Sequence, residues 1–477
     1  MSGYFSIHGH TDYSNAALGF SDSTNRVEKS VDYALEIGLT GITLTEHEFL
    51  GSHIRLMKYR DKLESEGKIT HDSFTFAFGN EVYFVEEHGP REKYYHHILI
   101  AKDKKGHEVL RKLSSRAWEN SFTDRGIKRT PSVMYEVKEI MEKEKGKGHI
   151  ISSTACLGGY IDQAFLRIKI EEEKLVPDQN KILQEKQNIV DFVEWNKEVF
   201  GEDNFYLEIA PNTSEEQRYV NRRYKALSKA VNVPLIFSVD AHYLNSEERE
   251  IHKAYLNSGE GDREVDAFYS TAYYMTLPEV RSFFLLDFEE EEFYEMVRNL
   301  EKLRSSIEHY SLLQDQQVPH LPVTPPSLDS FFDDFDLSAY ESIQEMLSSK
   351  SKQNLYWIRT CLNELHKRDL LSDRYIKQID TEAKILLDVS ADLKQDVSSY
   401  YNLTQKIIEI IWNEGDSLVG TSRGSALAFL SNYLLNITQI DPIPYVGDKS
   451  WRHLDKDRPE LPEHYWALNV NLARGCY

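Results

Sequence analysis

Short apolar runs alternating with amphipathic stretches, several of them ending in a residue able to bind a metal, restrict the folds open to this chain more than any other feature. Runs 41–45 (GITLT), 74–84, 97–101 (HILIA), 149–153 (HIISS), 205–209 (FYLEI) and 234–239 (PLIFSV) have the length and composition of strands, and helical patterns such as 25–37 and 213–231 lie between them. Strand–helix alternation predicts an α/β fold with a parallel sheet, either doubly wound or closed into a barrel. In a β/α barrel the chemistry gathers at the carboxyl ends of the strands. Here Glu46 and His47 follow GITLT, Cys156 follows HIISS, and Asp240 and His242 follow PLIFSV.

The candidate ligands are His8, His10, Asp22, His47, Glu81, His96, Cys156, Asp240 and His242. They exceed the roughly four ligands of one tetrahedral zinc. They suit two or three ions sharing bridging carboxylates, the arrangement used to hydrolyse phosphoesters. His8-Gly9-His10 puts two imidazoles on one face of an extended segment, and Asp240-Ala241-His242 repeats that geometry. Glu81 lies in an extended run where a buried carboxylate needs a partner, a metal or an arginine. Alternation places His96, Ile98 and Ile100 on one face, so His96 rather than His97 is expected at the cluster. Cys156 alone reads as a small buried hydrophobe; the other ligand types at strand ends make it a ligand. Cys, His and carboxylate together predict zinc, manganese or iron rather than magnesium alone. His8, His10, Asp240 and His242 are the candidates for catalytic work, through activated water and proton transfer.

A net charge of −22 excludes a sequence-independent DNA-coating protein, though not an enzyme that grips nucleic acid locally. Three cysteines make no disulfide framework, and neither a secretory signal nor a membrane-length apolar run is present, so a cytoplasmic protein is expected. The acidic stretch 246–309 predicts a solvated helical face. Pro319, Pro322, Pro325 and Pro326, followed by 327–336, predict a linker. Helical patterns resume near residue 355.

The motifs HGHTDYSN, TEHEFLGSH, GNEVY, HHILIAKD, SSTACLGG and FSVDAHYL, in this order, resemble the polymerase-and-histidinol-phosphatase (PHP) domain. More narrowly, they resemble the PHP domain that opens bacterial DNA polymerase III alpha subunits, the C-family replicases, in a version like those of phages. The resemblance implies a distorted (β/α)7 barrel over 1–245 with a trinuclear site whose nine ligands are the residues named above. Glu46 stands where the family usually has Asp. The resemblance also implies DNA as partner, as a primer 3′ end or single strand, together with other replisome proteins and no membrane.

At the other end, 417–426 (SLVGTSRGSA) resembles the Gly-Ser motif of the C-family palm, with Ser422, Arg423, Gly424 and Ser425 as the nucleotide- or DNA-binding candidates. Small residues let backbone N–H groups approach a phosphate, and Arg423 supplies a fork of donors. The expected layout is a helical region over 246–375 containing the proline-rich linker, then an incomplete palm over 376–477. After 459–462 (PELP) the family continues into an Asp-x-Asp pair, whereas here EHYWALN follows. Asp455-Lys456-Asp457 has that spacing but reads as surface. The expectation is a metal-dependent 3′→5′ exonuclease without polymerase activity in this chain, with apolar patches exposed on 407–412 and 427–435. An inert polymerase fragment with a structural metal site is the alternative, and a small-phosphate-ester phosphatase a third reading.

Overall fold

Because the apolar runs are apolar on both faces, they become strands enclosed on both sides. The computed structural model describes residues 3–18, 21–89, 92–124, 127–258, 269–421 and 424–446. Ten strands occur among them: β1 (Phe5–Ser6), β2 (Gly41–Leu44), β3 (Thr75–Val85), β4 (Tyr95–Ala101), β5 (Phe122–Asp124), β6 (Ile127–Arg129), β7 (Pro131–Val133), β8 (Ile150–Ser153), β9 (Phe205–Ile209) and β10 (Leu235–Phe237). The main sheet runs β1-β2-β3-β4-β8-β9-β10, with β7 paired to β3 off that path and β5–β6 as a separate hairpin. Beyond the strand ends, His10 N–H donates to Ala241 O over 2.9 Å, and Gly9 and Ala241 form a parallel bridge. This seam joins the two ends of the path and curls it into a distorted seven-stranded barrel.

The sheet is not all parallel as alternation predicts. β4 runs antiparallel to both β3 and β8. No helix separates β3 from β4, and a connection without a crossover returns the chain antiparallel.

The chain divides into two compact units, Met1–Leu313 and Gln314–Tyr477. The first therefore continues past residue 245. Within the acidic stretch, the helices Leu277–Phe284 and Glu290–Arg304 bury Leu277, Val280, Phe284, Phe293, Met296, Val297, Leu300 and Leu303 in the barrel's core cluster and keep their charged residues outside it. The predicted solvated face is thus only half of each helix.

The second unit is helical, built on Glu341–Ser348, Lys352–Lys367, Asp373–Leu393 and Ser398–Asn413 around Trp357, Ile358, Cys361, Ile379 and Leu386. The proline-rich stretch is an ordered strap along one of its helices rather than a free linker. Arg359 donates to Pro326 O at 3.2 Å, and Asn363 donates to Ser327 O and accepts from Asp329 N–H, each at 2.9 Å. Proline-rich backbone has carbonyls without helical partners, and these side chains satisfy them. Ile407, Ile410 and Trp412 are exposed as predicted, whereas Phe429, Leu430, Leu434 and Leu435 are buried. Gly424 and Ser425 lie in the short turn Gly424–Ala428. Ser422, Arg423 and the segment 455–462 are outside the described residues. No helix among the described residues is long and apolar enough to cross a membrane.

Glu382 organises this unit. Buried on the helix Asp373–Leu393, it accepts from Leu430 N–H at 2.8 Å and Ser431 N–H at 2.9 Å. Those amides open the helix Leu430–Leu434 and have no partner inside it. Removing the carboxylate strands both, at a cost of about 1–3 kcal/mol for each buried donor. Glu382→Ala is expected to lower the urea midpoint of the helical unit without moving that of the barrel, followed by hydrogen exchange of peptides from each.

Candidate metal centre

Glu81 and His96 lie within β3 and β4, His8, His10 and Asp22 lie in the connection after β1, and His47, Cys156 and the pair Asp240 and His242 follow β2, β8 and β10; the barrel brings all nine residues together. His8 Nε2, His10 Nε2 and Asp240 Oδ1 lie 3.1, 3.1 and 3.2 Å from one another. Ligand atoms about 2.0 Å from a shared tetrahedral ion would sit roughly 3.3 Å apart. Asp22 Oδ2 lies 3.2 Å from His47 Nε2 and 3.3 Å from His242 Nε2. Around Glu81, His47 Nδ1 approaches Oε2 to 2.6 Å and His96 Nδ1 approaches Oε1 to 2.8 Å. Cys156 Sγ stands 3.5 Å from His96 Nδ1 and 3.9 Å from Glu81 Oε1. Three groups can each hold an ion: His10, Asp22, His47 and His242; His8, His10 and Glu81; His47, Glu81 and His96. Glu81 faces two of them, the position of a bridging carboxylate.

The donor set fits divalent ions on a further count. Asp22 Oδ2, His47 Nδ1, Glu81 Oε2 and Asp240 Oδ1 are buried without a hydrogen-bond partner. Buried polar atoms that close together and unbonded are costly unless a cation lies among them. His96 is half-buried, and the other eight are buried. His97 points the other way, to Ser152 Oγ at 2.6 Å and the face of Phe84, and burial lowers its pKa to about 3.

Local electrostatics are those of a site built for cations. Burial opposes ionisation of Asp22, Glu81 and Asp240, yet neighbouring histidines hold all three carboxyls well below the usual range. Burial likewise opposes a charged His8 or His242, but Asp240 and Glu208 lift the first to about 9, and Asp22 and Asp240 lift the second to about 9. His10 falls to about 3 through burial and the adjacent His47 and His242. Burial pushes the Cys156 thiol up, reinforced by Asp240 and Glu81.

Carboxylates behind the histidines set their tautomers. Glu208 on β9 accepts from His8 Nδ1 at 2.9 Å, from Ser153 Oγ at 2.5 Å and from Ser238 Oγ. That fixes His8 with Nε2 toward the cluster. Glu46 acts through Ser14, whose hydroxyl donates to it at 2.6 Å while lying 3.0 Å from His10 Nδ1. Glu208 was missed in the sequence, although a lone carboxylate within FYLEI was its signal.

Residues 6–212 match the family described as PHP domain, and residues 342–464 match the bacterial DNA polymerase III alpha NTPase domain. Asp240 and His242 lie beyond the first match, yet Asp240 is in contact with His8 and His10 within it. A DNA-directed DNA polymerase of Bacillus phage SPbeta is 35% identical over 475 residues, covering 96% of this chain and 36% of that protein. The DNA polymerase III subunit alpha of Aquifex aeolicus (strain VF5) is 26% identical over 478 residues, covering 96% of this chain and 35% of that protein. The chain thus spans about a third of the length of these curated relatives.

Loss of a carboxylate behind a metal-bound histidine weakens metal binding about 10–100-fold. Glu208→Ala is expected to raise the Kd for manganese by that factor in competition with a chelating dye, with little change in secondary structure by circular dichroism.

Proposed function

We propose, on the premise that this chain belongs to the DNA polymerase III alpha family and carries its PHP domain, that the barrel is a metal-dependent phosphodiesterase acting on DNA as a 3′→5′ exonuclease. The observation that carries this reading is the convergence of nine ligand-type side chains: seven form three adjoining groups able to hold an ion, with Glu81 shared by two of them, while Asp240 lies against His8 and His10 and Cys156 against His96. Two or three divalent ions, zinc or manganese with iron as a further candidate, would be held by His8, His10, Asp22, His47, Glu81, His96, Cys156, Asp240 and His242. Bound there, such ions supply the polarisation of a phosphoryl oxygen and the activation of water.

The chain's own residues do the rest. Glu208 and Ser14 orient His8 and His10, while Asp22 tethers His47 and His242 to a common point. His96, the most exposed of the set, marks the side from which a phosphate enters. Asp240 sits against both His8 and His10 through Oδ1, and its other carboxylate oxygen is the group to exchange a proton with the leaving oxygen. The chain's place in replication, in the cytoplasm with other replisome proteins, follows from the family on the same terms. Polymerisation is outside this proposal, because Ser422, Arg423 and residues 447–477 lie beyond the described residues.

A 5′-labelled primer with a mismatched 3′ end, incubated with manganese or zinc and with a chelator control, tests the reading. Shortening from the 3′ end that stops with chelator, and falls at least 100-fold in Asp240→Ala, is expected. A fully metal-loaded protein that leaves the primer intact, and that loses thermal stability on chelation, would mean that the ions serve the fold alone.

A further inference from the structure

Beside the cluster, aromatic rings form a partly exposed row. Phe49, two residues after His47, has its ring centroid 6.4 Å from that of Tyr13 and 6.2 Å from that of Trp118, and all three are half-buried. Tyr13 in turn lies three residues beyond His10. On another side Tyr83 stacks over His47 at 5.6 Å and meets Tyr94 at 6.3 Å. Two cations of β6 cover these rings: Lys128 Nζ is 4.6 Å from the centre of Trp118, and the Arg129 guanidinium is 5.2 Å from that of Tyr94. The strand β6 itself packs beside the helix Asp12–Leu18 that carries Tyr13.

These cations differ from many others on the barrel. Arg26, Arg55 and Lys138 are each paired with a carboxylate, namely Asp12, Glu28 and Glu198. Lys128 and Arg129 have no carboxylate partner among the described residues. Lys29, Lys58 and Lys104 also lack one, but Lys128 and Arg129 lie over rings of the row beside the candidate metal centre, where they offer positive charge to an anionic occupant. Rings at stacking height and cations without partners are together what a single nucleic-acid strand requires: faces for bases and charge for phosphates.

We propose that this rim, Tyr13, Phe49, Trp118 and Tyr94 with Lys128 and Arg129, holds a single DNA strand at the metal centre. Bases stack on the row that includes Phe49, and phosphates meet Lys128 and Arg129. Unpaired bases alone can offer their faces to such a row, so duplex DNA is held more weakly. The proposal deepens the phosphodiesterase reading and rests on it for the identity of the strand, but its binding can be measured without turnover.

The test is fluorescence anisotropy of the full chain, loaded with manganese, on a labelled phosphorothioate oligothymidylate and on a duplex of equal length, across a salt series. Wild type is expected to prefer the single strand. The double variant Lys128→Ala/Arg129→Ala should weaken binding and flatten the plot of log affinity against log salt by about 1.4, at roughly 0.7 per phosphate contact. Phe49→Ala should weaken binding about tenfold with the slope unchanged, and Phe49→Trp should restore it. Equal affinity for duplex, or an unchanged slope in the double variant, would overturn the rim. If both signatures appear and an ordinary primer survives, only the hydrolytic reading falls; if the primer is cut and neither signature appears, only the rim does.

Discussion

The seam between Gly9 and Ala241 is the contact on which the rest of the site depends. It joins the first and last strands of the sheet path, and so places His8 and His10 against Asp240 and His242. Side chains reinforce it. Asn25 Nδ2 donates to His10 O at 3.1 Å and Ala241 O at 3.2 Å, and Ser23 Oγ donates to His10 O at 3.0 Å and His242 O at 2.8 Å. Gly9 is needed at the seam because a Cβ there would come within 2.6 Å of Tyr274 Oη. The loop that carries Asp22 is held by the same contacts, so opening the seam would dismantle two of the three ion positions at once.

Backbone strain collects at the same place. Glu48, Ala155 and Asp240 all take positive φ, at 45°, 63° and 46°, and each is a ligand or adjoins one. Such conformations cost of order 1 kcal/mol or more and persist only where surroundings over-determine them. At Glu48 the restraints are visible. Its carboxylate accepts from Tyr83 N–H and Ser132 Oγ, both at 2.7 Å, and its carbonyl accepts from Trp118 Nε1 at 2.7 Å. His47 is therefore aimed by a loop pinned to β3, β7 and the helix Lys104–Glu119 rather than by its own strand alone.

Much of this was legible in the residues, for a physical reason. Strands buried on both faces read as apolar runs, and polar residues at their ends stand out as ligands. The spacing His8-x-His10 and Asp240-x-His242 translates directly into side chains on one face. What stayed hidden was relational. Nothing in HHILIA declares that Tyr95–Ala101 runs antiparallel to both neighbours. The acidic stretch 246–309 looked solvated because its carboxylates come in runs, as at 289–292, between the apolar residues that anchor it. The proline-rich stretch looked like a linker because its partners, Arg359 and Asn363, lie on a helix some thirty residues away in sequence. Glu208 escaped notice because its value lies in what it touches, the far nitrogen of His8.

On the proposed function, an acidic chain that acts on a polyanion has an electrostatic problem to solve, to which the barrel's layout offers a solution. Charges farther than a Debye length, about 8 Å at physiological salt, are largely screened. The total of −22 therefore matters less to a bound phosphate than what lies beside it. The candidate ligand set contributes three carboxylates and, with a metal bound, the Cys156 thiolate, so three divalent ions, bringing roughly six positive charges, would leave the loaded centre cationic and two would leave it about neutral. Beyond that centre the same acidic chain would repel the rest of a strand. Stacking is insensitive to net charge, and aromatic rings beside the ligands, with Lys128 and Arg129 over two of them, supply attraction where electrostatics from the whole protein works against it. On the proposed function, the grip on a strand and the chemistry on its phosphates thus draw on different forces, so that substitution would separate them.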